Sequence, residues 1–214
     1  MKRTTILLAD DHTIICDAIR KILAPDYEVV GLAGDGRTLV RTAMELKPDV
    51  VLVDIGMPLL NGLDAARELK KLMPGIKIII LTMNGDPDVA SEALQIGVSG
   101  YVLKTSGGEE LLKAVSNVAH GIPYIAPQIR RAMEENLERD RSFLNRRSRQ
   151  LSERQREVLQ LLAEGRPMKE IAAILNISLR TVRFHKYKVM SDLGIKTNAE
   201  LIQYAIKHSV ISSP

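Results

Sequence analysis

Two kinds of apolar spacing alternate along the first 120 residues. Short unbroken apolar runs, within TTILLAD, YEVVGLAG, DVVLVD, IKIIILT and GYVLKT, predict five strands. After each run, apolar residues recur every three or four positions. That spacing predicts helices over residues 12–24, DGRTLVRTAMELKP, NGLDAARELKKLMP, DPDVASEALQIG and GGEELLKAVSNVAHG. A strand followed each time by a helix implies parallel strands with helices on both faces. The first, third and fourth runs are almost pure Val, Ile and Leu, as expected of central strands buried on both sides. The expected fold is an α/β doubly wound five-stranded parallel sheet.

Beyond residue 120 the pattern changes. GIPYIAPQIRRAMEENLERDRSFLNRRSRQ opens with turn residues and continues as a highly charged stretch. It predicts a linker over 121–148 with one helix in its middle. From 149 to the end, every periodic segment is helical. LSERQREVLQLLAEG begins with Ser152 and carries Gln155 three residues on, the spacing of a capping box. MKEIAAIL, the turn at NI, SLRTVRFHKYKVMSDLG and TNAELIQYAIKHSV complete a small all-α domain. Its middle is a helix-turn-helix, with the second helix over about 178–191.

Charge divides the chain in the same way. Residues 1–120 carry 13 Lys and Arg against 16 Asp and Glu; residues 151–214 carry 10 against 6. An acidic first half and a basic second half point the second domain toward a polyanion. Trp is absent and aromatics make up 3% of the chain, which argues against a ring-lined carbohydrate cleft. No apolar run is long enough to span a membrane, and the start is too short for an export signal. A single cysteine, Cys16, leaves no internal disulfide, so a cytoplasmic protein is expected.

In a doubly wound sheet, ligands sit outside the carboxyl ends of the strands. Strand one ends in Asp10 and Asp11, strand three in Asp54, strand four in Thr82, and strand five carries Tyr101 and ends in Lys104. With strands one, three, four and five as neighbours, these groups converge on one edge. Converging carboxylates repel unless one protonates or a cation joins them, and oxygen ligands suit Mg²⁺. Asp54 then serves as a nucleophile for a phosphoryl group. Lys104 and the Thr82 hydroxyl hold the phosphoryl oxygens. The plainer reading makes each strand-end acid a helix cap.

Residues 4–120 resemble the receiver domain of bacterial two-component response regulators, a flavodoxin-like fold, through LLADDH, VLVDIGMPLLNGLD, IIILT and GYVLKT. The resemblance implies Asp54 as phosphoacceptor and Asp10, Asp11, Asp54 and the Gly56 carbonyl as Mg²⁺ ligands. It also implies Thr82 and Tyr101 as switch residues beside Lys104, with Tyr101 rotating inward on activation. A sensor histidine kinase is the implied partner. A haloacid-dehalogenase phosphatase also uses a strand-end Asp, but needs an acid two residues later, where this chain has Gly56. The implied receiver promotes only its own phosphotransfer and dephosphorylation, so the chain is not expected to be an enzyme.

Residues 149–211 resemble the DNA-binding domain of LuxR-type regulators, which places the chain in the NarL/FixJ-like class. The outward residues of the second helix, Arg180, Arg183, Lys186, Tyr187 and Lys188, suit phosphates and base edges. Thr181, Val182 and His185 follow the family pattern, whereas Arg183, Phe184, Tyr187 and Asp192 depart from it. Double-stranded DNA, bound by a homodimer when phosphorylated, is the implied ligand. The expected protein is a phosphorylation-controlled transcription factor, with no membrane partner. The alternatives are a constitutive DNA-binding regulator whose receiver only dimerises, and a phosphate sink with little affinity for DNA.

Overall fold

The computed structural model describes residues 3–139, 151–208 and 210–211. The chain forms two compact units that divide after Arg139. In the first, β1 (Thr5–Ala9), β2 (Glu28–Ala33), β3 (Val50–Val53), β4 (Lys77–Thr82), β5 (Gly100–Leu103) and β6 (Tyr124–Ile125) form one sheet in the order β2-β1-β3-β4-β5-β6. All its pairings are parallel. The first five strands lead into α1 (Thr13–Leu23), α2 (Gly36–Leu46), α3 (Gly62–Leu72), α4 (Pro87–Ile96) and α5 (Gly108–Ala119), and β6 leads into α6 (Pro127–Arg139).

The unbroken apolar runs follow from burial of both sheet faces. Leu7, Val51, Val53, Ile78 and Ile80 point into a core shared with α2, α3 and α4. Their neighbours Ile6, Leu8, Val50, Leu52, Ile79 and Leu81 point to the other side, into a core shared with α1 and α5. Successive side chains alternate faces, so a strand covered twice has no polar position to show.

The sheet has six strands rather than the expected five. Tyr124 and Ile125 pair with Gly100 and Tyr101, inside the stretch expected to be linker. Two residues are too few for periodicity to reveal a strand. The helix expected within 121–148 is α6, and it belongs to the first unit. Ile129 is buried in the core, Met133 packs against that core, and Asn136 Nδ2 donates to Asp88 Oδ1 of α4 at 2.9 Å. Its apolar residues are scattered among charges, which hid the packed face. The rest of the expected linker, from 140, lies outside the described residues.

Asn61 and Gly62 open α3: Asn61 Oδ1 accepts from the Asp64 backbone N–H at 2.9 Å, as an N-cap. Gly62 is required by space. A Cβ there would lie 2.0 Å from the Asp54 carbonyl oxygen.

The second unit contains α7 (Glu153–Ala163), α8 (Met168–Ile174), α9 (Leu179–Leu193) and α10 (Asn198–Lys207). The capping box is present in full: Gln155 N–H donates to Ser152 Oγ, and Ser152 N–H donates to Gln155 Oε1. Thr197 and Glu200 form a second one at α10. Asn176 takes a left-handed φ of 51° in the tight turn between α8 and α9. Ile171, Leu175, Val182 and Val189 are buried, and Ala172 is half-buried.

If α6 is part of the first unit, removing its anchor must weaken that unit. Ile129→Ala is expected to cost about 2–4 kcal/mol in urea unfolding of the full chain, because it empties a closed site. A change below about 0.5 kcal/mol would return this helix to the linker.

Candidate functional site

The pocket is built by strand register. β1 and β3 run side by side with Ala9 opposite Val53, so Asp10 and Asp54 follow as neighbours, and Asp54 N–H donates to the Ala9 carbonyl at 2.9 Å. β4 and β5 pair Thr82 with Leu103, so Lys104 comes next beside Thr82. Here the chain switches direction across the sheet: β1 leads to β2 on one side, and β3 begins the other. That crevice is where such sheets bind ligands.

Lys104 Nζ lies 2.7 Å from Asp10 Oδ2 and 3.0 Å from Asp54 Oδ2. Asp10, Asp54, Thr82 and Tyr101 are all buried, while Asp11 is exposed. Burial pushes the Asp54 carboxyl above its ordinary value, and Lys104 only partly offsets this. Burial opposes the Lys104 charge, but its hydrogen bond to Asp10 and the Asp54 charge outweigh that and hold it above its ordinary value. Three carboxylates against one ammonium leave the edge short of positive charge.

His12 was not among the expected site residues. Its Nδ1 lies 3.1 Å from Asp10 Oδ1 and 2.8 Å from Asp11 Oδ1. Ligand atoms of Asp10, Asp11, His12 and Asp54 all fall within 4.8 Å of one another. The carboxylate oxygens and the charge deficit fit a hard divalent cation. The motif LLADDH contained His12, but only the fold of the β1–α1 loop turns its ring back onto the acids. Gly56 lies in the bend two residues after Asp54.

Thr82 Oγ1 accepts from Asn84 N–H at 3.0 Å. Tyr101, expected to move inward on activation, is already inside: it is 0% exposed, and its hydroxyl donates to the Asn84 carbonyl at 2.9 Å. Cys16 is a packing residue; it is buried and its thiol donates to the Asp10 carbonyl at 3.4 Å. Burial pushes that thiol up, which keeps it unreactive.

On the second unit, α9 puts Val182 and Val189 inward and Arg180, Arg183, Phe184, Tyr187 and Lys188 outward. Thr181, His185 and Lys186 are half-buried on its flanks, so Lys186 is less open than its charge suggests. Lys188 Nζ pairs with Asp192 Oδ1 at 2.9 Å, and Gln155 holds the other oxygen of Asp192 at 2.9 Å.

A parallel α/β unit with an acid–lysine pocket, on one chain with a basic helix-turn-helix, is the architecture of a two-part regulator. Comparison with known proteins agrees. The response regulator receiver domain family matches residues 6–116, and the luxR family of bacterial regulatory proteins matches residues 149–205. Oxygen regulatory protein NreC of Staphylococcus carnosus is 36% identical over 213 residues, covering 96% of this chain and 98% of that protein. The RcsB response regulator of Salmonella typhimurium matches at a TM-score of 0.67 and 30% identity, over 97% of this chain and 99% of that one. RcsB of Salmonella enterica serovar Typhimurium, bound to a promoter in the presence of phosphomimetic BeF3−, matches at a TM-score of 0.65 and 30% identity, over 95% of this chain and 98% of that one. The chain belongs to the NarL/FixJ-type two-component response regulators, in which a receiver domain is joined to a LuxR-type DNA-binding domain.

The raised Asp54 group gives a test without phosphorylation. A carboxyl raised by folding costs stability as pH climbs through its unfolded and then its folded value. Asp54→Asn, which removes that charge, should raise the melting temperature of metal-free protein by about 2–4 °C at pH 7. The gain should vanish near pH 4, where the unfolded carboxyl is itself protonating. Millimolar Mg²⁺ should shrink the difference at pH 7 by stabilising the wild type. A lower melting temperature for Asp54→Asn in metal-free buffer contradicts this account.

Proposed function

We propose that Asp54 is the phosphoacceptor of this regulator. The observation that carries the reading is the joint approach of Lys104 to Asp10 and Asp54, at 2.7 and 3.0 Å, at the sheet's switch point. Of the three acids, only Asp54 follows β3, which lies between β1, with Asp10 and Asp11 at its end, and β4, which ends in Thr82. Asp10, Asp11, Asp54 and the Gly56 carbonyl would hold Mg²⁺, which supplies positive charge for phosphoryl transfer. Lys104 holds one phosphoryl oxygen, and the Thr82 hydroxyl reaches another once it releases Asn84 N–H. A sensor histidine kinase supplies the phosphoryl group, and the chain acts on no external substrate. Among the described residues no helix is long and apolar enough to cross a membrane, in keeping with a cytoplasmic regulator.

Thr82 and Tyr101 are both bonded to Asn84, so a shift of the Thr82 hydroxyl toward a phosphoryl group is passed to Tyr101 through that segment. That segment leads to α4 and, through Asp88 and Asn136, to α6. Ordering of this segment by phosphorylation changes the surface available for dimerisation. Dimeric protein then binds two half-sites of double-stranded DNA through α9. RcsB, at 30% identity, has been seen as two dimers on two parallel DNAs.

Intact-mass measurement after acetyl phosphate and Mg²⁺ should show one added phosphoryl group on wild type and none on Asp54→Ala. Addition to Asp54→Ala would place the acceptor elsewhere. Sedimentation with beryllofluoride and Mg²⁺ should show a dimer; unchanged mass and shape would favour a constitutive regulator. For DNA, Arg180→Ala and Arg183→Ala should each flatten the slope of log affinity against log salt by about one. Unchanged slopes would move the phosphate contacts off α9.

A further inference from the structure

The recognition face of α9 carries something besides charge. Phe184 is 64% exposed and Tyr187 66% exposed. Every other described Tyr is buried or half-buried, and Phe184 is the one described Phe. Among the described residues, both open Phe and Tyr rings therefore sit on one helix, three residues apart. At 3.6 residues per turn, Phe184, Tyr187 and Arg180 lie opposite the buried Val182 and Val189. They form the outermost line of α9, the line that goes deepest into any groove the helix enters. Arg183 and Lys188 stand exposed on either side of it.

Exposed rings cost hydration and mark a contact surface when they cluster. Flanking cations select a polyanion as the partner. A phenyl ring cannot bond a phosphate or a base-edge donor. Its available partner in the major groove is the 5-methyl group of thymine. Resting on the reading of α9 as the DNA-binding helix, the geometry points to Phe184 and Tyr187 as an apolar reading edge for thymine methyl groups. The two rings are about 4.5 Å apart along the helix axis, from a rise of 1.5 Å per residue. They therefore meet thymines one or two base steps apart, on either strand. The Phe184 ring is steadied by an edge contact with His185, centroids 5.4 Å apart at 71°. Lys188, held by Asp192, leaves the centre of the face to the rings. Preference for this helix is thus set by methyl contact, while Arg180 and Arg183 set overall affinity.

The test uses the full-length protein with beryllofluoride and Mg²⁺. Duplexes are selected from a randomised pool, and the best is remade with deoxyuridine replacing single thymidines. Loss of one read methyl should weaken binding about fourfold, the worth of one buried methylene-sized group. Phe184→Ala should bring the thymidine-to-deoxyuridine ratio at its own position to about one, and Tyr187→Ala should do so at a second position. Tyr187→Phe should keep the ratio, since the ring and not the hydroxyl makes the contact. These side chains are exposed, so unchanged melting temperatures will show that the variants fold. Tight, salt-dependent binding by wild type with every deoxyuridine substitution below about 1.5-fold would overturn the proposal and leave DNA binding intact. A ratio that survives Phe184→Ala and Tyr187→Ala would overturn it as well. Failure to retain any duplex would remove the DNA-binding reading of α9, and this proposal with it.

Discussion

The Lys104 ammonium, held between two buried carboxylates, is the interaction around which the first unit is arranged. It joins the ends of β1, β3 and β5 at one point. Buried acids are tolerated only when paired, and Lys104 pairs with Asp10 as well as with Asp54. One ammonium cannot neutralise three acids, so the edge is left short of positive charge. Burial pushes the Asp54 carboxyl above its ordinary value, and Lys104 offsets this only in part.

Everything near the pocket serves to keep that geometry. Gly62 lets α3 press against the Asp54 carbonyl where any side chain would collide. Leu59 takes a left-handed φ of 65° in the intervening loop, an uncommon conformation for a branched residue. From Thr82 a line of hydrogen bonds passes through Asn84, Asp86 and Asp88 to Asn136 on α6. β6 adds a second link, since Ala126 N–H donates to the Tyr101 carbonyl at 2.9 Å. The pocket and α6 are therefore parts of one bonded network.

The helical unit solves a different problem. Its helices are short, so their ends weigh heavily in its stability. Side-chain caps at Ser152, Ser178 and Thr197 satisfy the first amide groups, and Gly194 closes α9 in a left-handed conformation with φ 69°. With the ends secured and Val182 and Val189 buried, the outer face of α9 is free of structural duty. It carries cations and two rings instead.

Much of this was legible in the sequence because it is local. Strand and helix periods, the Ser152–Gln155 box and the strand-end positions of Asp10, Asp54, Thr82 and Lys104 depend on residues close along the chain. The resemblance to receivers and LuxR-type domains rests on the same short motifs. Other features required the folded chain. β6 is two residues long, and its pairing with β5 exists only because α5 returns the chain to that edge. The packed face of α6 was masked by its charges. The buried place of Tyr101 and the hold of Gln155 on Asp192 each depend on where a loop or helix lies in three dimensions. The sequence by itself determined which groups line the sheet edge, since period and strand ends are short-range properties. Tertiary structure decided their distances and partners, since these depend on contacts between residues far apart in the chain.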